Sequence, residues 1–243
     1  MNFGTMLDDA LSYAKEGVFN NRDRWVKLIL AILCLGLPMN GYVMRIYRGE
    51  HPAPEVENWG TLFIEGLKLV VVGLVYAIPV FIIMAITYGS ILLAALSGST
   101  GRMSSATISG WSPNLGLVLL MYVAEIAVGL VVPVASIRFA RTRSFSEAFN
   151  FGAIIDYIGK IGWINYIIAL ILVTLVIGIP IALLVFGFIL LGGIILFIFK
   201  VSTIAILGFI LALVIIILTL APLFAVFQAR YMTLVYDSAV PVA

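Results

Sequence analysis

Hydrophobic residues fall in long blocks along this chain, and polar residues are mostly confined to the stretches between them. The first stretch differs. Phe3, Met6, Leu7, Ala10, Leu11 and Ala14 recur at three- and four-residue spacing, while Asp8, Asp9, Lys15 and Glu16 fall elsewhere. That period places the apolar set on one face of a helix over residues 3–16. Such a helix rests on a membrane surface or docks onto another subunit. A polar hinge closes this N-terminal segment, residues 1–24. The remainder, residues 25–243, reads as one transmembrane domain.

A bilayer crossing needs about 20 apolar residues, because the hydrocarbon layer is roughly 30 Å thick. Residues 25–46 are just long enough. Their middle, Gly36-Leu37-Pro38-Met39-Asn40-Gly41, is poor helix material, so this block is either a kinked span or a re-entrant pair of half-helices. Residues 69–96 form the second block, with a kink expected at Pro79, and residues 115–140 the third, with Pro133. Between them lies a polar loop, 97–113. Residues 161–199 are one apolar run, read either as two short spans divided at Gly178-Ile179-Pro180 or as one tilted span with a bend at Gly187, Gly192 and Gly193. Residues 201–228 are the last span. The pattern predicts an all-α fold: a polytopic transmembrane bundle of five or six spans plus interfacial amphipathic helices. A weak internal repeat relates 25–96 to 115–199. In each, a proline precedes an arginine (Pro38 and Arg45; Pro133 and Arg138). An aromatic–glycine pair follows (Trp59-Gly60; Phe151-Gly152), then an acid and a lysine (Glu65 and Lys68; Asp156 and Lys160). Such duplications recur in transporters, and in inert scaffolds.

Composition fixes the solvent. Of 243 residues, 63% are hydrophobic and 11% charged, against about 25% charged in a soluble domain. The surface is therefore matched to lipid. A net charge of +2 and basic residues scattered at block ends leave no nucleic-acid footprint. The single cysteine, Cys34, excludes an intramolecular disulfide. The N-terminal residues lack the basic-then-apolar order of a signal peptide, so insertion is expected to rely on internal spans. Trp25, Trp59, Trp111 and Trp163 all sit at block edges, as an aromatic belt among headgroups requires.

The most specific wording lies in residues 41–68. It reads Gly41-Tyr42-x-x-Arg45, then Arg48-Gly49, an acidic proline-containing connector, and Trp59-Gly60-x-Leu62-Phe63-x-x-Gly66-Leu67-Lys68. Gly49, Pro52 and Pro54 oppose helix in the connector. Residues 59–68 read as a short surface helix, with Leu62, Phe63 and Leu67 toward lipid and Glu65 and Lys68 in water. On residue chemistry alone, Arg45, Arg48, Trp59, Glu65 and Lys68 form an interfacial motif whose charges are solvated. The wording resembles that of an uncharacterised family of small prokaryotic membrane proteins, domain of unknown function 4013. The resemblance implies a multi-pass membrane domain. It brings no substrate, cofactor or catalytic residue.

One ionisable residue, Glu125, lies deep inside an apolar block. A charge there costs about 2.5–3.5 kcal/mol on insertion. Glu125 is therefore either a proton or cation site, or a protonated acid bonded to a neighbouring helix. Asn40, Tyr76, Thr87 and Thr174 are its candidate partners. Arg138, Arg141 and Arg143 form the most basic run, and read as contacts to anionic lipid headgroups or as topology signals. Ser144 and Glu147 have capping-box spacing at the start of a second surface helix. His51 stands alone and does not make a metal site. Ala85 with Gly89, Gly178 with Ala182 and Gly208 with Ala212 permit close helix approach.

No phosphate-binding loop, nucleophile elbow, HExxH or CxxC is present, so no enzymatic activity and no cofactor are expected. Two functions remain. One is a transporter- or channel-like domain using Glu125. The other is a non-catalytic scaffold or accessory subunit that docks a partner protein or anionic lipid. The expected partners are membrane lipids and further subunits, as a homo-oligomer or a membrane complex. Lys and Arg favour the cytoplasmic side. With a re-entrant first block, twelve of the fourteen basic residues share one side; with a crossing block, eight do. Either arrangement puts connectors 45–68 and 138–160 in the cytoplasm of a cell-membrane protein.

Overall fold

The computed structural model describes residues 1–96, 114–199 and 203–239. The expected loop 97–113, with Arg102 and Trp111, and Lys200 lie outside the described residues. All regular structure within them is helical: α1 Phe3–Ala14, α2 Arg22–Leu33, α3 Leu37–Tyr47, α4 Trp59–Leu96, α5 Leu115–Thr142, α6 Phe151–Ile161, α7 Trp163–Phe199 and α8 Thr203–Asp237. A π-helical turn, Lys15–Phe19, prolongs α1, and a 3-10 turn, Phe145–Phe149, precedes α6. The N-terminal helix starts where the period placed it, capped by Asn2, whose Oδ1 accepts from the Thr5 N–H at 3.3 Å.

Four helices among the described residues are long and apolar enough to cross a membrane: Trp59–Gly89, Leu115–Thr142, Trp163–Ile195 and Ile206–Asp237. Two differences separate this from the five or six spans expected. The first block does not run straight. Leu35 (φ 59°) and Gly36 (φ 70°) adopt left-handed backbone between α2 and α3, which turns the chain, and Pro38 fits the first turn of α3. Each half is about 16–18 Å long at 1.5 Å per residue, well short of the hydrocarbon layer. Arg24 at the start of α2 pairs with Glu55, whose carbonyl accepts from Arg45 near the end of α3, so the two ends of the block lie close together. The other difference is α7, which continues through Pro180 as one helix. Pro79, Pro133 and Pro222 also lie inside helices. The surface helix expected at 59–68 is likewise not separate; it forms the opening turns of α4.

The chain groups into two compact units, Met1–Val70 with Val134–Ala243, and Val71–Pro133. In the larger unit the C-terminal end of α8 is the central post. Val226, Phe227, Tyr231, Met232 and Val235 are buried there, against α1, α2 and α3. α1 contributes Ala10, Tyr13 and Ala14; α3 contributes Tyr42, Met44 and Ile46. The amphipathic face of α1 is thus seated on the chain's own α8. Farther along, Leu183 and Phe186 of α7 and Leu207 and Leu211 of α8 are exposed, as side chains facing hydrocarbon would be. In the smaller unit, Ile78, Phe81 and Ile82 of α4 and Leu119, Val123 and Ile126 of α5 are exposed in the same way.

Two motif glycines explain how α3 meets α4. A Cβ on Gly41 would overlap the Leu62 carbonyl and lie 2.7 Å from the Leu62 Cα. A Cβ on Gly66 would overlap the Leu37 carbonyl and lie 2.8 Å from the Gly41 nitrogen. The helices therefore cross backbone against backbone, and the obstruction is main chain that cannot swing away. The glycines singled out for close approach, Gly89, Gly178 and Gly208, have nothing within 4 Å of that position. Gly41→Ala and Gly66→Ala should each lower the detergent melting temperature, as overpacking worth about 1–3 kcal/mol does. Gly178→Ala should be neutral or stabilising, since alanine is the better helix former by about 1 kcal/mol. Equal melting temperatures for all three variants would rule the crossing out.

Candidate functional site

The connector after α3 has no helix or strand to pair its peptide groups, so side chains take that role. Arg45 Nη1 and Nη2 donate to the carbonyls of Glu55 (2.9 Å) and Glu57 (3.1 Å). The Tyr42 hydroxyl donates to the Pro54 carbonyl at 3.0 Å, and the Tyr13 hydroxyl to the Glu50 carbonyl at 2.9 Å. Arg24, almost wholly buried, donates to the Gly17 carbonyl at 3.2 Å and pairs with Glu55. Burial pushes the Tyr13 phenol up to about 12, and the nearby Arg230 guanidinium pulls in the opposite direction. Tyr13 therefore stays neutral and remains a donor.

Four more ion pairs tie helix ends together. Arg48 meets Glu65 through two parallel bonds, 3.1 and 2.7 Å, with both side chains about four-fifths buried. This fork geometry is the strong form of the interaction. Arg48 Nε also reaches the Ala140 carbonyl at 3.4 Å. In return, Arg141 Nε donates to the Tyr47 carbonyl at 2.6 Å, and its Nη2 to both carboxylate oxygens of Asp237 at 2.8 and 2.9 Å. Arg138 Nε donates to Glu147 at 2.7 Å. Arg230 Nε donates to Asp9 at 2.7 Å, and its guanidinium lies 5.0 Å over the Tyr13 ring, a cation–π contact. α3, α4, α5 and α8 are thus joined at their polar ends, by Arg48 and Glu65, whose charges the sequence alone reads as solvated, and by Arg141, which it reads as a headgroup contact or topology signal.

The predicted site residues divide accordingly. Arg45, Arg48 and Glu65 of the interfacial motif are engaged within the chain, whereas Lys68 is exposed and Trp59 begins α4. Of the basic run, Arg138 and Arg141 are engaged, and Arg143 is exposed with no ion pair among the described residues. The capping box does not close. Ser144 Oγ lies 2.9 Å from Ser146 Oγ, and Glu147 reaches Arg138 instead. The partners Asp9, Tyr13, Arg24, Glu55, Arg230 and Asp237 were not legible as site residues, because their partners are distant in sequence.

Glu125 lies on an exposed side of α5, about 15 Å from Leu115 along the helix. It makes no hydrogen bond or ion pair among the described residues. Three of its candidate partners are engaged with their own backbones: Asn40 with the Gly36 carbonyl, Thr87 with that of Ile83, and Thr174 with that of Leu170. A cavity of about 270 Å³ lies elsewhere, between α7 and α8, lined by Pro180, Ile181, Leu184, Leu220, Phe224 and Gln228 among others. Its lining is apolar apart from Gln228. No group of three His, Cys, Asp or Glu able to hold a metal occurs among the described residues. His51 packs against the Tyr13 ring, with centroids 5.7 Å apart.

Long apolar helices, polar residues gathered at their ends and a turned-back first block define a helical integral membrane protein. A family model described as Protein of unknown function (DUF4013) matches residues 26–191, and the chain belongs to that family. That region runs from α2 through most of α7 and contains the whole of the 41–68 motif. No curated protein and no solved structure matches the chain.

Two expectations follow. A double-mutant cycle with Arg48→Ala and Glu65→Ala in detergent should show a coupling of about 1–3 kcal/mol, above the roughly 0–1 kcal/mol of an exposed pair. A coupling near zero would show the fork contributes nothing. The Tyr13 phenol binds its proton more tightly when folded than its ordinary value of 10.0. Its contribution is therefore complete below pH 10 and is lost between pH 10 and about 12. The stability of wild type relative to Tyr13→Phe should fall across that window in an alkaline melting series, and should be flat between pH 6 and 9.

Proposed function

We propose that this protein is a non-catalytic membrane scaffold whose polar helix ends form a cytoplasmic-side platform against anionic lipid headgroups. The observation that carries this reading is the division among its cations. Arg24, Arg45, Arg48, Arg138, Arg141 and Arg230 are held by partners inside the chain. Lys15, Arg22, Lys68, Arg143 and Lys160 are exposed, with no ion pair among the described residues. Lys68, Arg143 and Lys160, on the two connectors, are each close in sequence to exposed apolar side chains: Ile64 and Leu67, Phe145, and Ile155 respectively. Apolar side chains in the headgroup–acyl boundary with cations above them are the signature of an interfacial contact.

Topology follows from the same residues. With α2 and α3 as a re-entrant hairpin and four crossings, twelve of fourteen basic residues lie on one side, which the charge rule makes cytoplasmic. The apolar tip supports immersion: Leu33 and Leu35 are exposed there, with Leu35 at 87%.

Transport at Glu125 is the competing function. The cavity between α7 and α8 is apolar and lined by other helices, so it gives Glu125 no support. Purified protein in vesicles of phosphatidylcholine with phosphatidylglycerol should retain the anionic lipid selectively. Combining Lys68→Ala, Arg143→Ala and Lys160→Ala should weaken that preference about a hundred-fold, at about 1 kcal/mol per cation. Unchanged lipid preference would defeat the headgroup reading. Proton or cation flux in those vesicles that disappears in Glu125→Gln would defeat the scaffold in favour of transport. Labelling of Ser12→Cys, in a Cys34→Ser background, from outside the cell would defeat the topology.

A further inference from the structure

We propose that α5 carries a self-association face, formed by Tyr122, Glu125 and Gly129, that meets the same face of a second copy inside the membrane. These residues are three and four apart, hence on one side of the helix. Glu125 is exposed, Tyr122 is exposed at 54%, and nothing lies within 4 Å of where a Gly129 Cβ would stand. The face therefore presents two polar groups and a gap, in a helix otherwise lined with Leu119, Val123 and Ile126.

Hydrocarbon offers the carboxyl no donor or acceptor, so a polar group left there must find a protein partner. Snorkelling is closed to it. The glutamate side chain is short, and Glu125 lies about 15 Å from the end of the helix, near the midplane of a roughly 30 Å layer.

A second copy is the occupant that the chemistry selects. A neutral carboxyl group carries both a donor and acceptors, so it is complementary to itself. A copy inserted in the same orientation places its own Glu125 at the same depth. Rotation about an axis along the membrane normal then brings the two together, as an isologous contact requires. The Tyr122 hydroxyls add donors beside the pair, and Gly129, one turn further on, lets the helices approach closely. A lipid tail has nothing to offer this group. A different protein would need its own polar group at this depth.

This inference extends the scaffold reading to an assembly, but its test is separate from headgroup binding. In a Cys34→Ser background, Tyr122→Cys and Val132→Cys place single thiols on the Glu125 side of α5. Val123→Cys places one on the far side, since successive residues rotate by about 100°. Oxidation in native membranes should yield dimer from the first two, at least about ten-fold above the third, because a disulfide needs Cα atoms within roughly 7 Å. Adding Glu125→Leu to Val132→Cys should abolish that excess, whereas Glu125→Gln, an amide with both donor and acceptor, should preserve it. Preservation by Glu125→Gln also separates lost pairing from failure to fold. Equal cross-linking at all three positions, none at any, an excess surviving Glu125→Leu, or a partner other than this chain would each overturn the proposal.

Discussion

Two peptide backbones in contact, at Gly41 and Gly66, hold the arrangement on which the rest is built. Helices in lipid gain nothing by burying apolar surface from water, so their association depends on close packing and on polar contacts. Here the closest packing falls where α3 returns beside α4. Seven residues beyond Gly41 stands Arg48, and immediately before Gly66 stands Glu65. The crossing thus aligns the two groups that form the forked ion pair. Gly49 continues the same logic. Its φ of 87° turns the chain out of α3, and the Arg141 guanidinium occupies the space where a side chain would stand, 3.2 Å from that position.

Around that crossing the charged residues behave as they do in a partly dry setting. An exposed pair is worth little, because water screens it and two long side chains must be immobilised. Arg48 and Glu65 are both sheltered, so losing either would strand the other, and Arg24 is buried against a more exposed Glu55, so losing that carboxylate would strand the guanidinium. Many of the remaining bonds go to backbone carbonyls, as at Glu50, Pro54, Glu55 and Glu57. The connector is therefore ordered without regular structure. Of the connector cations, the same engagement leaves Lys68, Arg143 and Lys160 to meet anything outside the chain.

Much of the framework was legible in the sequence, for local reasons. The α1 period, the apolar blocks and the prolines in the connector act over one or two turns, and Trp59 and Trp163 begin α4 and α7. The motif marked the right glycines, but gave no reason for them until Leu37 and Leu62 were in view. Spacing rules pointed instead to Gly89, Gly178 and Gly208, because they register small residues and not where another helix lies. The reversal at Leu35 and Gly36 was half visible. Glycine announces a left-handed turn; leucine does not. Arg141 with Asp237 and Asp9 with Arg230 had no local signal at all. The depth of Glu125 was readable from the block around it, whereas its exposure depends on which helices pack beside α5.

The seating of α1 on α8 sets an order of events during synthesis. Asp9 and Arg230 are 221 residues apart, so the ribosome delivers the first helix long before the post that receives it. Through most of translation α1 has an apolar flank and no seat, and the bilayer surface is the nearest place to cover it. Docking belongs after the four long helices are inserted. A chain stalled before residue 230 would keep its amino-terminal helix tethered but unseated.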